Sequence, residues 1–196
     1  MVENMINDYI VSVCILMYLI GSIPFAIITS KAFALPDPRS YGSNNPGATN
    51  VYRSGNKLAA TITLIGDFLK GYIPTVLLFN SNLLNYEIYA LGYLILLGHI
   101  FPITLKFKGG KGVATSLGIL LALNYLIGVS VILIWLTVFF ISRVSGLSAI
   151  ISFLFLPIIF VILKDHDLML ALSIINMITV LLTHRKNIYN YILKKS

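Results

Sequence analysis

The chain has 196 residues, of which 58% are hydrophobic and only 11% carry a charge. A soluble domain carries about 25% charged residues, so this composition excludes a soluble enzyme, a coiled coil and a disordered chain. It indicates a multi-pass membrane protein, and the length favours a single domain, 1–196. The single cysteine, Cys14, excludes a disulfide framework and a cysteine-based metal site. The 14 Lys and Arg against 7 Asp and Glu leave a net charge of +7, whose distribution predicts the topology.

In chain order, apolar runs predict the segments that enter the membrane: 9–30, 58–79, 88–105, 113–142, 146–163 and 168–183. The first run is interrupted by Gly21 and Pro24. The second contains Asp67 and Lys70, which lie three residues apart and can neutralise each other on one helix face. A charged pair within a span is a candidate for function by default. The sequence fits two interpretations of this pair equally well: it stabilises the fold, or it contacts a substrate.

The run at 113–142 contains 30 residues without a charge. As one helix it would be about 45 Å long, against a hydrocarbon core of about 30 Å. Short loops rich in Lys and Arg stay in the cytoplasm. Such loops occur at 31–57, at 106–111 and in the C-terminal tail, whereas 80–87 has no Lys or Arg. If 113–142 is instead a hairpin of two helices that turns near 124–128, all of these basic segments lie on the cytoplasmic side of the membrane. We therefore predict seven spans, with the N-terminus outside and the C-terminus inside, and five or six spans as the alternative.

The segment 42–53 is more specific than a connector between spans needs to be. Gly42 and Gly47 allow the backbone to approach a ligand, and Arg53 offers a planar guanidinium that suits a phosphate. Loops longer than about 12–15 residues are usually functional or disordered. We therefore favour a functional segment over a solvated linker. Its hydrogen-bonding side chains are those of Ser43, Asn44, Asn45, Thr49 and Asn50.

A second polar segment, 106–118, contains three glycines and leads directly into an apolar run. Gly109, Gly110 and Gly112 can expose consecutive backbone N–H groups, and Lys111 supplies a positive charge. Together with the start of the next helix they predict an anion-binding cradle. A flexible, basic cytoplasmic loop explains the same residues equally well. The spacing is not that of a Walker A loop, so the segment does not indicate an NTPase.

A third polar segment, 183–188, ends the last span. His184 and Asn187 are three residues apart and share a face if the helix continues. A basic anchor at the membrane surface explains the neighbouring Arg and Lys, but it does not explain His184 or Asn187. A lone histidine at a helix end is more often structural. We interpret His99 and His166 as structural too, and no carboxylate cluster predicts a metal.

Four separated motifs carry a resemblance to a known family. They are Gly21-Ser22-Ile23-Pro24, the segment 42–53, Gly109-Gly110-Lys111-Gly112-Val113-Ala114-Thr115 and His184-Arg185-x-Asn187-Ile188. The chain resembles the bacterial acyl-phosphate:glycerol-3-phosphate acyltransferases of the PlsY type from end to end. The resemblance rests on these four motifs, on their order and on the length of the chain. The resemblance implies an all-α membrane protein, a polytopic bundle of about seven transmembrane helices. It also implies the bacterial cytoplasmic (inner) membrane, with the active site facing the cytoplasm.

The resemblance further implies which residues take part in the reaction. The expected catalytic residues are Ser43 and Arg53 of the first loop, with His184 and Asn187 near the C-terminus. The family's glycine-rich loop for glycerol phosphate falls on Gly109, Gly110, Lys111 and Gly112. Because both substrates carry a phosphate, the sequence does not decide which of the two this loop binds.

One departure from the family's pattern lies in the first loop. Where the family usually has Gly-Ser-Gly-Asn-Ile-Gly, the chain has Gly42-Ser43-Asn44-Asn45-Pro46-Gly47. Asn44 therefore replaces a glycine, and asparagine tolerates a positive φ better than most residues. Pro46 fixes its own φ. The conformation of this loop is thus the least certain part of the resemblance.

The reaction implied by the resemblance moves a fatty acyl group from acyl phosphate to the 1-hydroxyl of glycerol 3-phosphate. It requires no cofactor, no metal and no nucleic acid, and it takes place among membrane lipids. Phosphate is a good leaving group, so positioning and electrostatic stabilisation can supply most of the rate. None of the three histidines has an aspartate five positions later, which disfavours the His-x4-Asp acyltransferases. The alternative is a transporter or channel for an organic phosphate. The acyl-chain preference and the oligomeric state are left open.

Overall fold

The computed structural model describes the backbone at residues 2–163 and 167–193, and the side chains at 10–163 and 167–190. All regular structure in these ranges is helical, which confirms the predicted all-α class. The α-helices are α1 Val2–Gly21, α2 Phe25–Ala32, α3 Ala48–Tyr52, α4 Lys57–Leu78, α5 Asn85–Ile100, α6 Val113–Leu123, α7 Tyr125–Ser142, α8 Ser145–Leu154, α9 Leu156–Ile162, α10 Asp167–Thr183 and α11 Arg185–Leu193. The interpretation of His166 falls outside the described residues.

Several helices are long and apolar enough to cross a bilayer. Within the described residues, four stretches meet this condition: Lys57–Leu78, Asn85–Leu105, Tyr125–Ser142 and Ser145–Ile162. A fifth is formed by Ile10–Gly21 and Phe25–Ala32 if this pair, bent by 41°, is one broken span. Large apolar side chains face outward, including Phe140 and Ile141 on α7, which are 63% and 81% exposed. A broad apolar outer surface of this kind fits contact with lipid.

The first span is broken where the sequence predicts an interruption. Helix α1 ends at Gly21, and α2 begins after Pro24, which has no N–H to continue the hydrogen-bond ladder. Gly21 lies directly against the backbone of Ile95, where a Cβ atom would overlap the carbonyl group. The absence of a side chain at Gly21 therefore lets α1 pack closely on α5. The break leaves carbonyl groups of this segment available to other partners.

The long apolar run is divided at Asn124, the first residue of the predicted turn. Asn124 has an extended backbone, and its side-chain oxygen accepts a hydrogen bond from the N–H of Leu126 at 2.9 Å. Gly128 lies against the backbone of Leu121, so α6 and α7 pack closely after the break. The two arms are unequal, with 11 residues in α6 and 18 in α7. The arms are unequal because Asn124, whose side chain caps α7, lies early in the run.

Helix α6 is held at the centre of the bundle by close helix packing. Gly71 of α4 lies against the carbonyl oxygen of Thr115, and Gly118 of α6 lies against the carbonyl oxygen of Phe68. Gly71 and Gly118 are thus helix-packing residues, which let the backbones of α4 and α6 approach closely. Fully buried apolar side chains from α5 to α10 form the main core: Tyr89, Leu96, Ile119, Leu120, Ile127, Val131, Phe153, Leu156, Phe160 and Val180. This packing fixes the start of α6, which carries the glycine-rich segment.

Candidate active site

The first loop is organised by the side chain of Asn50, which is 1% exposed. Its Oδ1 accepts hydrogen bonds from the N–H of Ser43 at 2.9 Å and from Nη1 of Arg53 at 3.2 Å. Its Nδ2 donates to the carbonyl oxygens of Pro38, at 2.5 Å, and Tyr41, at 3.1 Å. One buried amide thus connects the two residues that were predicted to be catalytic in this loop. In the sequence alone, Asn50 is only one of several polar side chains of this segment.

Two positive φ angles shape the backbone on either side of Ser43. Gly42 has φ +59°, and a Cβ atom at this position would overlap Oδ1 of Asn50. Asn44 has φ +56°, and its Nδ2 donates to the carbonyl oxygen of Arg39 at 2.9 Å. Asn44 therefore adopts the left-handed conformation for which glycine is usually selected, as its tolerance of positive φ suggested. Ser43 itself lies exposed between these two turns.

The glycine-rich segment does not present all of its N–H groups to a ligand. The N–H of Gly109 donates to the carbonyl oxygen of Ile100, and that of Gly110 donates to His99, each at 3.0 Å. The prediction that these two groups are free to bind phosphate is therefore wrong. The physical reason lies in α5, because the last carbonyl groups of a helix have no partner within it. The returning loop satisfies two of them.

The part of the segment nearest to α6 keeps the features of an anion site. Gly112 has φ +86° and precedes the first residue of α6. In the described part of the chain, no hydrogen bond occupies the N–H groups of Lys111 and Gly112. Together with the start of an 11-residue helix, these groups can bind a negative charge. The candidate cradle is thus smaller than predicted and is centred on Lys111 and Gly112.

Lys111 connects this cradle to the C-terminal segment. Its Nζ donates to Oδ1 of Asn187, and its carbonyl oxygen accepts a hydrogen bond from Oγ1 of Thr183 at 3.0 Å. Gly146, at the start of α8, lies beside Asn187, and a Cβ atom there would approach Nδ2 to 2.6 Å. The structure therefore brings the predicted Lys111 and Asn187 into contact. It adds Thr183, the first residue of the polar segment 183–188, and Gly146, which no local pattern in the sequence marks as part of a site.

His184 lies at the junction of α10 and α11 and is 3% exposed. Its Nδ1 is 2.8 Å from the carbonyl oxygen of Val180. A carbonyl can only accept a hydrogen bond, so Nδ1 carries the proton, and Nε2 of the neutral ring is an acceptor. Burial, reinforced by the positive charge of Lys111, lowers the pKa of His184 to about 4. The imidazole is therefore neutral at physiological pH.

The electrostatic potential of the site is positive. Burial lowers the pKa of Lys111 to about 8, and the charges of Arg53 and Lys186 add to this effect. Positive charges from the first loop and from the C-terminal segment therefore act on the lysine of the glycine-rich segment. Within the described residues, the ion pairs are formed by other groups, so no carboxylate balances these three cations. A bound anion would relieve their repulsion.

Comparisons with known proteins agree on one family. A family model described as glycerol-3-phosphate acyltransferase matches residues 11–194. The glycerol-3-phosphate acyltransferase of Nitrosomonas eutropha is 50% identical over 182 residues, covering 91% of each chain. That of Ruthia magnifica is 48% identical over 177 residues, covering 89% of this chain and 88% of the relative.

Solved structures give the same result. The chain is similar to a crystal structure of PlsY, an integral membrane glycerol 3-phosphate acyltransferase, in its glycerol 3-phosphate form. The TM-score is 0.89 at 31% identity, covering 95% of this chain and 93% of that one. The lysophosphatidic acid form of PlsY gives a TM-score of 0.87 at 30% identity with the same coverage.

Proposed function

The chain belongs to the glycerol-3-phosphate acyltransferase family, and from this membership and its cationic site we propose that it transfers a fatty acyl group from acyl phosphate to the 1-hydroxyl of sn-glycerol 3-phosphate. The products are lysophosphatidate and inorganic phosphate, in phospholipid biosynthesis. The observation that carries the proposal is that Lys111, in electrostatic contact with Arg53, is hydrogen-bonded to Asn187 and Thr183 on either side of the buried, neutral His184. Two anionic substrates need such charge, and a hydroxyl nucleophile needs an uncharged acceptor.

The arrangement in the membrane follows from the helices and the basic loops. We propose seven crossings. Five are the four long stretches and the broken pair counted as one, and the other two are the shorter apolar helices Val113–Leu123 and Asp167–Thr183. We place the N-terminus outside and the C-terminus in the cytoplasm of a bacterium, with the chain in the inner membrane. This orientation puts the basic segments at 31–57 and 106–111 on the cytoplasmic side. The site then faces the compartment that supplies glycerol 3-phosphate.

The phosphate groups are bound by the cations and by free backbone donors. Arg53 can donate two parallel hydrogen bonds to one phosphate. Lys111 adds a second charge, and the N–H groups before α6 add the field of a helix N-terminus. Ser43 lies exposed in the same loop as Arg53 and is positioned by Asn50. We assign Ser43 and Arg53 to one substrate phosphate, and Lys111 with Gly112 to the other.

In the reaction, the hydroxyl oxygen attacks the carbonyl carbon of the acyl phosphate. A new ester C–O bond forms, the C–O bond to phosphate breaks, and inorganic phosphate leaves with the bonding electrons. A pKa of about 4 makes His184 a weak base, so its Nε2 orients the hydroxyl by accepting a hydrogen bond. The proton passes to the departing phosphate. Asn187 acts by holding the ammonium group of Lys111.

The proposal is tested with purified protein and labelled glycerol 3-phosphate. Acyl phosphate and acyl-CoA of the same chain length are compared as donors, and the labelled lipid is measured. We expect transfer from acyl phosphate and none from acyl-CoA. Transfer from acyl-CoA alone would refute the proposed donor. Uptake of glycerol 3-phosphate into proteoliposomes without any labelled lipid would instead identify a transporter.

A further inference from the structure

The charged residues within α4 form a buried pair. Nζ of Lys70 is 2.8 Å from Oδ1 of Asp67, and both side chains are at most 5% exposed. Lys70 also donates to the carbonyl oxygen of Ile23, at 2.8 Å, in the break between α1 and α2. The pair thus satisfies a carbonyl group that the broken helix leaves free. The pair lies inside the bundle, away from solvent, and Asp67 also contacts α5 and α6.

The same aspartate reaches the glycine-rich segment through His99. Oδ1 of Asp67 lies 3.4 Å from Nδ1 of His99, which is 8% exposed. The imidazole lies against Gly110, where an added Cβ atom would overlap Nε2. The carbonyl oxygen of His99 also accepts the N–H of Gly110 at 3.0 Å. His99 therefore contacts the residue that precedes Lys111 by both its ring and its backbone.

The residues that follow Lys111 are tied to the same aspartate. Oγ1 of Thr115, in the first turn of α6, donates to the carbonyl oxygen of Asp67 at 2.9 Å. On the other side, Thr183 donates to the carbonyl oxygen of Lys111 at 3.0 Å. The backbone around Lys111 is thus held before, at and after this residue. Only its side chain extends toward Asn187.

We propose that His99, held by Asp67, is a positioning residue that fixes the backbone of the Gly110–Lys111 step, so that the Lys111 ammonium group is placed for phosphate. The inference rests on the proposed function, because it assigns Lys111 to a substrate phosphate. A lysine side chain is a flexible stem with a point charge, so its placement depends on the backbone that carries it. A displacement of about 1 Å at a reacting centre can lower a rate by roughly 100-fold.

The test is a double-mutant cycle on kcat/KM for glycerol 3-phosphate, with acyl phosphate as donor. The enzymes are the wild type, His99→Ala, Lys111→Ala and the double variant. If His99 acts through Lys111, His99→Ala lowers kcat/KM by about 10- to 100-fold in the wild type. It then has little further effect once Lys111 is alanine. Losses that multiply in the double variant would overturn the proposal.

A control and a second variant keep the result specific. Asn176→Ala removes another buried polar group, which accepts from Ser116 at 3.1 Å and donates to Tyr89 at 3.2 Å. The fold-loss in kcat/KM caused by Asn176→Ala should multiply with the fold-loss caused by Lys111→Ala. If the two losses do not multiply, the control also overturns the proposal. His99→Asn keeps a nitrogen donor toward Asp67, so it should recover part of the activity that His99→Ala loses. If His99→Ala does not fold, the cycle is run with His99→Asn.

Different results would refute the proposed donor and the positioning role of His99. A wild-type enzyme that uses only acyl-CoA refutes the proposed donor, and the cycle is then measured with that donor. A Lys111→Ala enzyme with wild-type kcat/KM refutes the role of Lys111 and, with it, the positioning role of His99. An impaired Lys111→Ala enzyme whose effect multiplies with His99→Ala refutes the positioning role alone.

Discussion

The substitution Asn50→Asp tests how the amide of Asn50 organises the first loop, because it removes the amide donors at nearly constant side-chain size. The aspartate keeps an oxygen for the N–H of Ser43 and for Arg53, but it loses both donors of the amide. Those donors bind two carbonyl oxygens at 2.5 and 3.1 Å in a site that is 1% exposed. A buried polar group without its partner costs about 1–3 kcal/mol. Two such losses disfavour the ordered loop by about 2–6 kcal/mol, before any repulsion between carboxylate and carbonyl.

The expected consequence is a loss of transition-state binding with an intact membrane fold. The lower value, about 2 kcal/mol, corresponds to a roughly 30-fold fall in kcat/KM for glycerol 3-phosphate. Steady-state kinetics with both substrates varied measure this fall, and thermal unfolding in detergent reports the fold. We expect little change in Tm, because the main core comes from α5 to α10.

Asn45→Asp is the matched control, since it makes the same change five residues away. In the described part of the chain, no hydrogen bond involves the Asn45 side chain. It should therefore lose much less activity than Asn50→Asp. Equal losses in the two variants would show that added negative charge, rather than the broken amide contacts, is responsible. Wild-type kinetics for Asn50→Asp would refute the role given to Asn50.

Three further predictions concern the charges and the topology. Arg53→Lys should lower kcat/KM at least tenfold, because an ammonium group cannot donate the two parallel hydrogen bonds of a guanidinium; wild-type kinetics would exclude bidentate contact. Since the pKa of Lys111 is lowered to about 8, kcat/KM should be level below that pH and fall as pH rises through it. Lys111→Arg should move this fall to higher pH, and an unmoved profile would assign it to another group. In a Cys14-free background, cysteines at positions 45 and 190 should react only from the cytoplasmic side, and labelling of 190 from outside would refute the proposed orientation.

The parts of the fold that depend on local chemistry could be predicted from the sequence. The apolar runs locate the helices, and Gly21 and Pro24 mark the break in the first span. Asn124 caps α7, and Asn44 takes a positive φ. In each case the deciding property belongs to one residue and its neighbours along the chain, so no knowledge of packing is needed.

The parts of the site that depend on distant contacts could not be predicted. Gly109 and Gly110 look like free phosphate donors until the end of α5 is known to lie against them. Gly146 has no motif of its own, yet it provides room for Asn187. The pair Asp67 and Lys70, for which two interpretations were open, is bound to His99 and to Ile23. These contacts join residues far apart in the chain, and no spacing rule connects them.

The unequal arms of the α6–α7 hairpin determine how deep the site lies in the membrane. In the proposed topology both helices run between Asn124 and the cytoplasmic face. With 18 residues α7 is about 27 Å long, nearly the thickness of the hydrocarbon core, whereas α6 with 11 residues is about 16 Å long. If both helices run along the membrane normal, Gly112 at the start of α6 lies about 10 Å deeper than Arg143 at the end of α7. In this arrangement glycerol 3-phosphate reaches a site below the membrane surface, while the acyl phosphate reacts near its own depth in the leaflet and need not be lifted out of the bilayer.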